Sequence, residues 1–366
     1  MESAWENHLL FTPAAAIRAP QSTYAETPIP LDEPLAPNPP GGAVIDYYLA
    51  RPASGRVTIE ILDASGTIVR AFASDDPPEL TPEELQRQLI PPSWARPPRN
   101  PETAAGMHRF VWDLHGEKPL AATHEYPITA VPGDTPRHPR GPLAVPGAYT
   151  VSLTAGGRTH TAPLTVRLDQ RVKTLQAGLE QMLALQRRLA SLIERVSPAV
   201  LQAASLREQT AAIESTGAVA AAIKALEDKV TAALDGPENP PAVGPKPIGL
   251  QSASDDALSI YGMVSQVDAA PTAAQVAATA TIERGLPAAL GDWGKILGTD
   301  LPALNAILKQ AGLPELDASR KQRDKRSVGS EEQPGPGRPE EITRSSSPSP
   351  MGLERASGPP NSSGRH

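Results

Sequence analysis

The sequence predicts a chain of two structured halves, an antiparallel β-sandwich followed by an antiparallel helical bundle. Three observations carry this prediction. Apolar residues recur with period two between about residues 43 and 168, the spacing of half-buried strands. Near residue 170 the period switches to 3.6, the spacing of amphipathic helices. The chain also holds 42 prolines and 28 glycines in 366 residues. Proline fits neither helix interiors nor central strands, so long irregular segments must exist. They divide the chain into a strap at 1–40, a sandwich at 41–170 interrupted at 75–106 and 116–145, a bundle at 171–317 and a disordered tail at 318–366.

The strap is rich in Pro and Ala, which reads as an extended linker, and Leu9, Leu10 and Phe11 form an apolar patch able to dock on the adjoining domain. The run AVIDYYLA from Ala43 reads as a strand. RVTIEILD places Val57, Ile59 and Ile61 on one face, Asp63 to Gly66 turns the chain, and TIVRAFA returns, which is a hairpin. The first interruption, 75–106, contains eight prolines. Within it Thr81-Pro82-Glu83-Glu84 has the Thr cap, first-turn Pro and acids of a short helix start. MHRFVWDL (107–114) is the next strand. After the second interruption, AYTVSLTA and RTHTAPLTVRLD alternate about a Gly156-Gly157 turn, and glycine supplies the positive φ that a tight turn needs. Short alternating strands with long connections indicate an immunoglobulin-like sandwich.

In the second half, Leu175, Leu179, Met182, Leu185, Leu189, Leu192 and Val196 form one helical stripe. Ser197-Pro198 is expected to end that helix and cap a second, which carries Val219, Ile223, Leu226 and Val230 and is weakened at Gly217. Residues 235–250 read as a loop. A third helix is expected from near Ser254, with Leu258, Tyr261 and Val264 facing inward. A fourth is capped by Thr272, carries Val276, Ile282, Leu286, Leu290, Trp293 and Leu297, and is kinked at Pro287. A last short helix opens at Asp300-Leu301-Pro302 and stops at Gly312. None of these stripes can be hidden by one helix alone, so they are expected to meet in a bundle.

Composition excludes several functions. Without cysteine there is no disulfide, thiolate nucleophile or thiolate metal site. A formal charge of -7 gives no basic footprint for nucleic acid. No segment approaches the roughly 18 apolar residues of a membrane span, and the first residues lack the basic and apolar regions of a signal peptide.

The run from NPPGGAVIDYYL (38–49) through LTVRLDQRVKTLQAGLEQ (164–181) to TDLPALNAILKQAGLPEL (299–316) resembles the C-terminal region of bacterial propeller proteins of the sortilin, BNR-repeat and xyloglucanase-like type, known as glycosyl hydrolases. The strand set also resembles the Ig-like domain of flagellar hook-capping proteins. The likeness covers about residues 8–316. It implies an accessory module whose partner is a propeller protein or domain, in relatives that are exported to the periplasm or beyond. It implies further that the catalytic carboxylates lie in the propeller. No S-x-D-x-G-x-T-W box of a propeller occurs in these residues, so no catalytic residue carries over and no cofactor is implied. The alternative implied by the family is a glycan-acting hydrolase or a carbohydrate-binding module.

Glycoside hydrolysis needs two facing carboxylates. Asp46, Asp63 and Asp113 lie at or near strand ends and read as structural, Asp63 as a turn residue and Asp113 as a backbone hydrogen-bond acceptor. His108, His115, His124, His138 and His160 show no H-x-H or H-E-x-x-H spacing, so no metal site is expected, and no G-x-S-x-G elbow supports a serine nucleophile. Trp112 and Tyr149 read as core. Trp94 and Tyr126, both in proline-rich segments, are the candidate ligand contacts, with the alternative that they pin those segments to the sandwich. Arg320, Lys321, Arg323, Lys325 and Arg326 form a basic cluster in the tail that reads as solvated.

Overall fold

The computed structural model describes residues 8–19, 40–97, 99–127, 133–236 and 247–320. Strands occupy the first part of the chain and helices the second, a mixed α/β content segregated along the sequence. The strands are β1 (Leu9–Leu10), β2 (Ala16–Arg18), β3 (Ala43–Leu49), β4 (Thr58–Asp63), β5 (Ile68–Ala73), β6 (Gly106–Trp112), β7 (Gly147–Ala155) and β8 (Arg158–Leu168). They form a three-stranded sheet in the order β1-β3-β6 and a five-stranded sheet in the order β2-β8-β7-β4-β5.

The period-two pattern places every second side chain inside. Ile45, Tyr47, Leu49 and Trp112 of the smaller sheet and Ile59, Ile61, Val151 and Leu153 of the larger one are fully buried in one apolar cluster. The expected core aromatics meet there: the Trp112 and Tyr149 rings contact edge to face at 5.7 Å. Both expected hairpins are present. β4 pairs with β5 across the Asp63–Gly66 turn, and β7 pairs with β8 through Gly156 and Gly157 at φ 56° and 74°.

The leading segment differs from a simple strap. Leu9–Leu10 pair antiparallel with Tyr47–Tyr48, and Ala16–Arg18 pair parallel with Val166–Leu168, so this short piece adds a strand to each sheet. Strands of two and three residues carry no measurable period, which is why the sequence reads as linker.

Helices begin at α2 (Gln176–Ala211) and continue with α3 (Gly217–Asp235), α4 (Leu250–Ser265), α5 (Ala273–Lys295) and α6 (Leu301–Gln310), the last two joined by a π turn at Ile296–Asp300. The break expected at Ser197-Pro198 is absent, because α2 runs through Pro198. Proline costs about 3 kcal/mol inside a helix. Against that, Val196, Ala199 and Val200 are all buried in the helical core, and a large apolar side chain contributes about 1.5–3 kcal/mol on burial. Ser197 also donates to the Ile193 carbonyl at 2.6 Å. The real break lies at 212–216, just before Gly217 at φ 63°. The third helix starts at Leu250 rather than Ser254, since Leu250 and Ala253 are themselves buried. Leu175 caps α2 and is 78% exposed instead of lying on its buried stripe. Val276 is also exposed.

Thr272 caps α5 as expected, in a reciprocal box with Gln275. Pro287 lies within α5. Beyond α6, the Asn305 side chain accepts from and donates to the backbone of Leu316, which is buried on the helices. The tail expected from 318 lies outside the described residues after Arg320, as does the rest of the basic cluster.

One buried side chain ties sheets to helices. Arg18 of β2 donates to the Leu143 and Ala144 carbonyls at 2.9 and 2.6 Å, and its Nε donates to Asp268, just after α4, at 3.1 Å. Its side chain is 1% exposed and that of Asp268 5%.

Candidate functional site

The two proline-rich excursions, between β5 and β6 and between β6 and β7, meet the edge strands β5 and β6 of the two sheets around one cavity. Prolines supply no N–H, so these segments cannot build a ladder of their own. A few bonds cross-link them instead. Arg96 N donates to Thr135 O at 2.9 Å, Thr135 N to Trp94 O at 3.0 Å, and Gly133 N to Ser93 O at 2.9 Å. Gly116 N donates to Pro142 O at 2.8 Å. Here the backbones approach so closely that a Cβ on Gly141 would stand 2.0 Å from the Gly116 carbonyl oxygen, so only glycine fits. Short α1 (Pro82–Gln86), with its Thr81–Glu84 capping box, is the one α-helix of the excursions among the described residues.

Between the excursions and the sheets lies a cavity of about 400 Å³. Six of its lining side chains are cationic: Arg70, Arg96, Arg99, Lys118, Arg137 and Arg140. Three are carboxylates: Asp76, Glu79 and Asp113. The rest of the wall is largely apolar, with Phe72, Leu80, Leu85, Tyr126 and several prolines.

Asp113 is the electrostatic centre. Arg96 and Arg140 each donate to its Oδ2 at 2.8 Å, and His115 N donates to its Oδ1 at 3.3 Å. Burial works against its charge, but the His115 ring and the guanidiniums of Arg140 and Arg96 outweigh it and hold the carboxyl well below the usual carboxylate range. Leu114, between Asp113 and His115, sits at φ 62°, a left-handed conformation that costs a non-glycine residue energy. That kink buries the Leu114 side chain while its two polar neighbours turn toward the arginines.

His115 Nδ1 lies 2.9 Å from an Arg140 guanidinium nitrogen and 2.8 Å from the Asp113 carbonyl oxygen. Burial and the Arg140 charge lower the ring's pKa, against Asp113, which raises it. His138 is lowered to about 4 by burial and by the charges of Arg140, His115 and Arg96. His124 is also lowered to about 4, by burial and by Lys118 and Arg137.

On the other wall, Lys118 pairs with Glu79 at 2.7 Å and Arg137 approaches the same carboxylate at 3.7 Å. Burial raises the Glu79 pKa, but Lys118 outweighs it and the net shift is downward. Arg137 also donates to the His124 carbonyl at 2.6 Å and stands 5.8 Å from the centre of the Tyr126 ring. Asp134 pairs with Arg96 at 2.7 Å and Arg99 at 3.4 Å.

The structure disperses the other candidates. Asp46 is paired bidentately with Arg109 across β3 and β6, at 2.8 and 2.9 Å. Asp63 closes its hairpin by accepting from Ser65 N and Thr67 N at 2.9 and 3.0 Å. Asp113, expected to serve mainly as a backbone acceptor, is instead the hub of an ion-pair cluster. Of the two aromatic candidates, Tyr126 lines the cavity. Trp94 lies half-exposed in a 3₁₀ turn, Pro92–Trp94, outside the lining. Among the described residues no three His, Asp or Glu side chains gather as a metal site would require, and no helix is long and apolar enough to cross a membrane.

No family model, curated protein or solved structure matches this chain. Its chemistry must therefore be read from the cavity. Asp113 and Glu79, both held ionised at neutral pH, are poor general acids, since that role needs a carboxyl whose pKa is raised toward the working pH. Guanidiniums beside an apolar wall suit the binding of anions.

Sequence reasoning misses these arginines. They lie in PPSWARPPRNP and PRHPRGP, segments that read only as loops, whereas the basic cluster at 320–326 stands out. The available signal is the density of Arg among the prolines.

Proposed function

We propose that the chain is a non-catalytic interaction module, an immunoglobulin-like sandwich joined to a helical bundle, related to the C-terminal part of glycosyl-hydrolase-like propeller proteins. Its role is to brace or dock a propeller protein or domain. The observation that carries the non-catalytic reading is the ion pairing of the cavity carboxylates, which leaves no raised-pKa acid opposite a second free carboxylate. The buried Arg18–Asp268 pair supports the bracing role, since it ties β2 to the segment after α4. The test has two arms. The purified chain should show no turnover on a panel of polysaccharides, and it should co-purify with a propeller protein encoded beside it. Turnover lost in Asp113→Asn or Asp46→Asn would overturn this reading in favour of a hydrolase.

A second reading, a carbohydrate-binding module, is favoured by the placement of Tyr126 on the cavity wall. Binding isotherms of Tyr126→Ala and Trp94→Ala on the same polysaccharides separate it from docking.

A further inference from the structure

We infer that the cavity beneath the two proline-rich excursions binds a small organic oxyanion, a carboxylate or phosphate group carried on an apolar body. This goes beyond the docking reading and does not depend on it.

The uneven pairing of the cavity's cations is the first argument. Three guanidiniums, Arg96, Arg99 and Arg140, share two carboxylates, Asp113 and Asp134. Lys118 and Arg137 share Glu79, with Glu84 acting on Arg137 at longer range. Arg70 is matched by Glu117, and Asp76 is matched by Arg56, which also serves Asp75. Overall the charges nearly cancel, but the pairing is uneven, and Arg99 and Arg137 are the least satisfied cations. Arg99 reaches its carboxylate at only 3.4 Å. Arg137 is 3.7 Å from Glu79, and its buried Nε has no hydrogen-bond partner. A buried cationic donor without an acceptor is costly, and an incoming oxyanion removes that cost.

Shape is the second argument. About 400 Å³ lies within the range of small-molecule sites. Lining by Phe72, Leu80, Leu85 and Tyr126 offers apolar contact beside the guanidiniums. Arginine forks match carboxylate and phosphate oxygens two at a time, which a lone ammonium cannot do.

A purely structural role for the cluster, pinning the excursions, predicts the same ion pairs but no ligand. Calorimetric titration of the full chain with phosphate and with benzoate, at constant ionic strength in chloride, distinguishes the two. Saturable binding of either anion is expected, and which one binds names the oxyanion. The variant Arg99→Ala/Arg137→Ala should weaken it by about tenfold or more, the loss expected for charge-assisted bonds. Arg109→Ala, an exposed arginine outside the cavity, should leave it unchanged. Absence of saturation with both anions, or unchanged binding in the double variant, overturns the proposal. Should the double variant fail to fold, hydrogen exchange on the unmodified chain decides. Ligand-dependent protection of residues 92–97 and 133–141 supports the site, and protection elsewhere or nowhere overturns it. All readouts use the isolated chain, so loss of propeller docking would not mimic failure here.

Discussion

The helices and the proline-rich excursions are held by different forces. From α2 to α6 the interior is apolar: Leu179, Leu189, Ile193 and Val196 on α2 meet Val230, Leu250, Tyr261 and Leu286 on the other helices. Among the described residues of the excursions few large apolar side chains are buried. Leu114 and Ile90 are among them, while Asp113 is gripped by Arg96 and Arg140 and Glu79 by Lys118. Apolar burial is non-directional and almost indifferent to pH or salt. Ion pairs are directional and respond to both. A proline-rich segment has too few N–H groups for backbone ladders and must use side chains, so its contacts depend more on pH and salt than those of the helices.

The largest expected effect lies at the junction of the two regions. Arg18→Met leaves Asp268 buried without its cation, and breaking a buried pair in this way costs about 3–5 kcal/mol. The double variant Arg18→Met/Asp268→Leu should recover most of that loss, measured by urea denaturation. No recovery would mean that the Leu143 and Ala144 carbonyls, rather than the charge, are what Arg18 serves.

Within the helices, Leu189→Ala should cost about 3 kcal/mol through lost burial and the cavity left behind. That loss should be equal at pH 7 and pH 5, because no histidine lies in the helices and their core is apolar. A pH-dependent loss would break the contrast.

Acid should loosen the excursions first. His124 and His138 take up protons at about 4 when folded, against an ordinary value near 6.5. The unfolded chain therefore binds more protons between those values, and stability falls as the pH drops through that window. Asp113 acts in the same direction lower down, since its stabilising ion pairs are present above the ordinary carboxylate range and lost as the pH falls below it. Hydrogen-exchange protection factors, taken relative to the slower intrinsic exchange in acid, should fall between pH 7 and pH 4.5 in residues 113–127 and 133–146 and change little in α2.

The smallest effect comes from one motif used twice. Thr81 with Glu84 and Thr272 with Gln275 form the same capping box. Thr272→Ala should cost about 1 kcal/mol globally. Thr81→Ala should alter exchange only in 82–86, because five-residue α1 has no buried side chain to couple it to the rest.

Local pattern was enough for much of the architecture. Alternation in RVTIEILD and AYTVSLTA marks β4 and β7, turn chemistry marks both hairpins, and Thr272 marks the start of α5, because each depends on neighbours a few residues apart. The Ser197-Pro198 break failed because burial of Val196, Ala199 and Val200 outweighs a local propensity. β1 and β2, of two and three residues, are too short to carry a period, although Leu9 and Leu10 stand out as an apolar patch able to dock.

The candidate site was the least legible part. Tyr126 could be picked from the sequence as an aromatic in a proline-rich loop, but not the cations around it. Arg96 and Arg140 are ordinary loop arginines until chain folding brings both onto one Asp113 oxygen. Periodicity and capping are short-range and written in order along the chain. Electrostatics depends on distance in space, so the charge of the cavity exists only once the excursions have closed over the sheets.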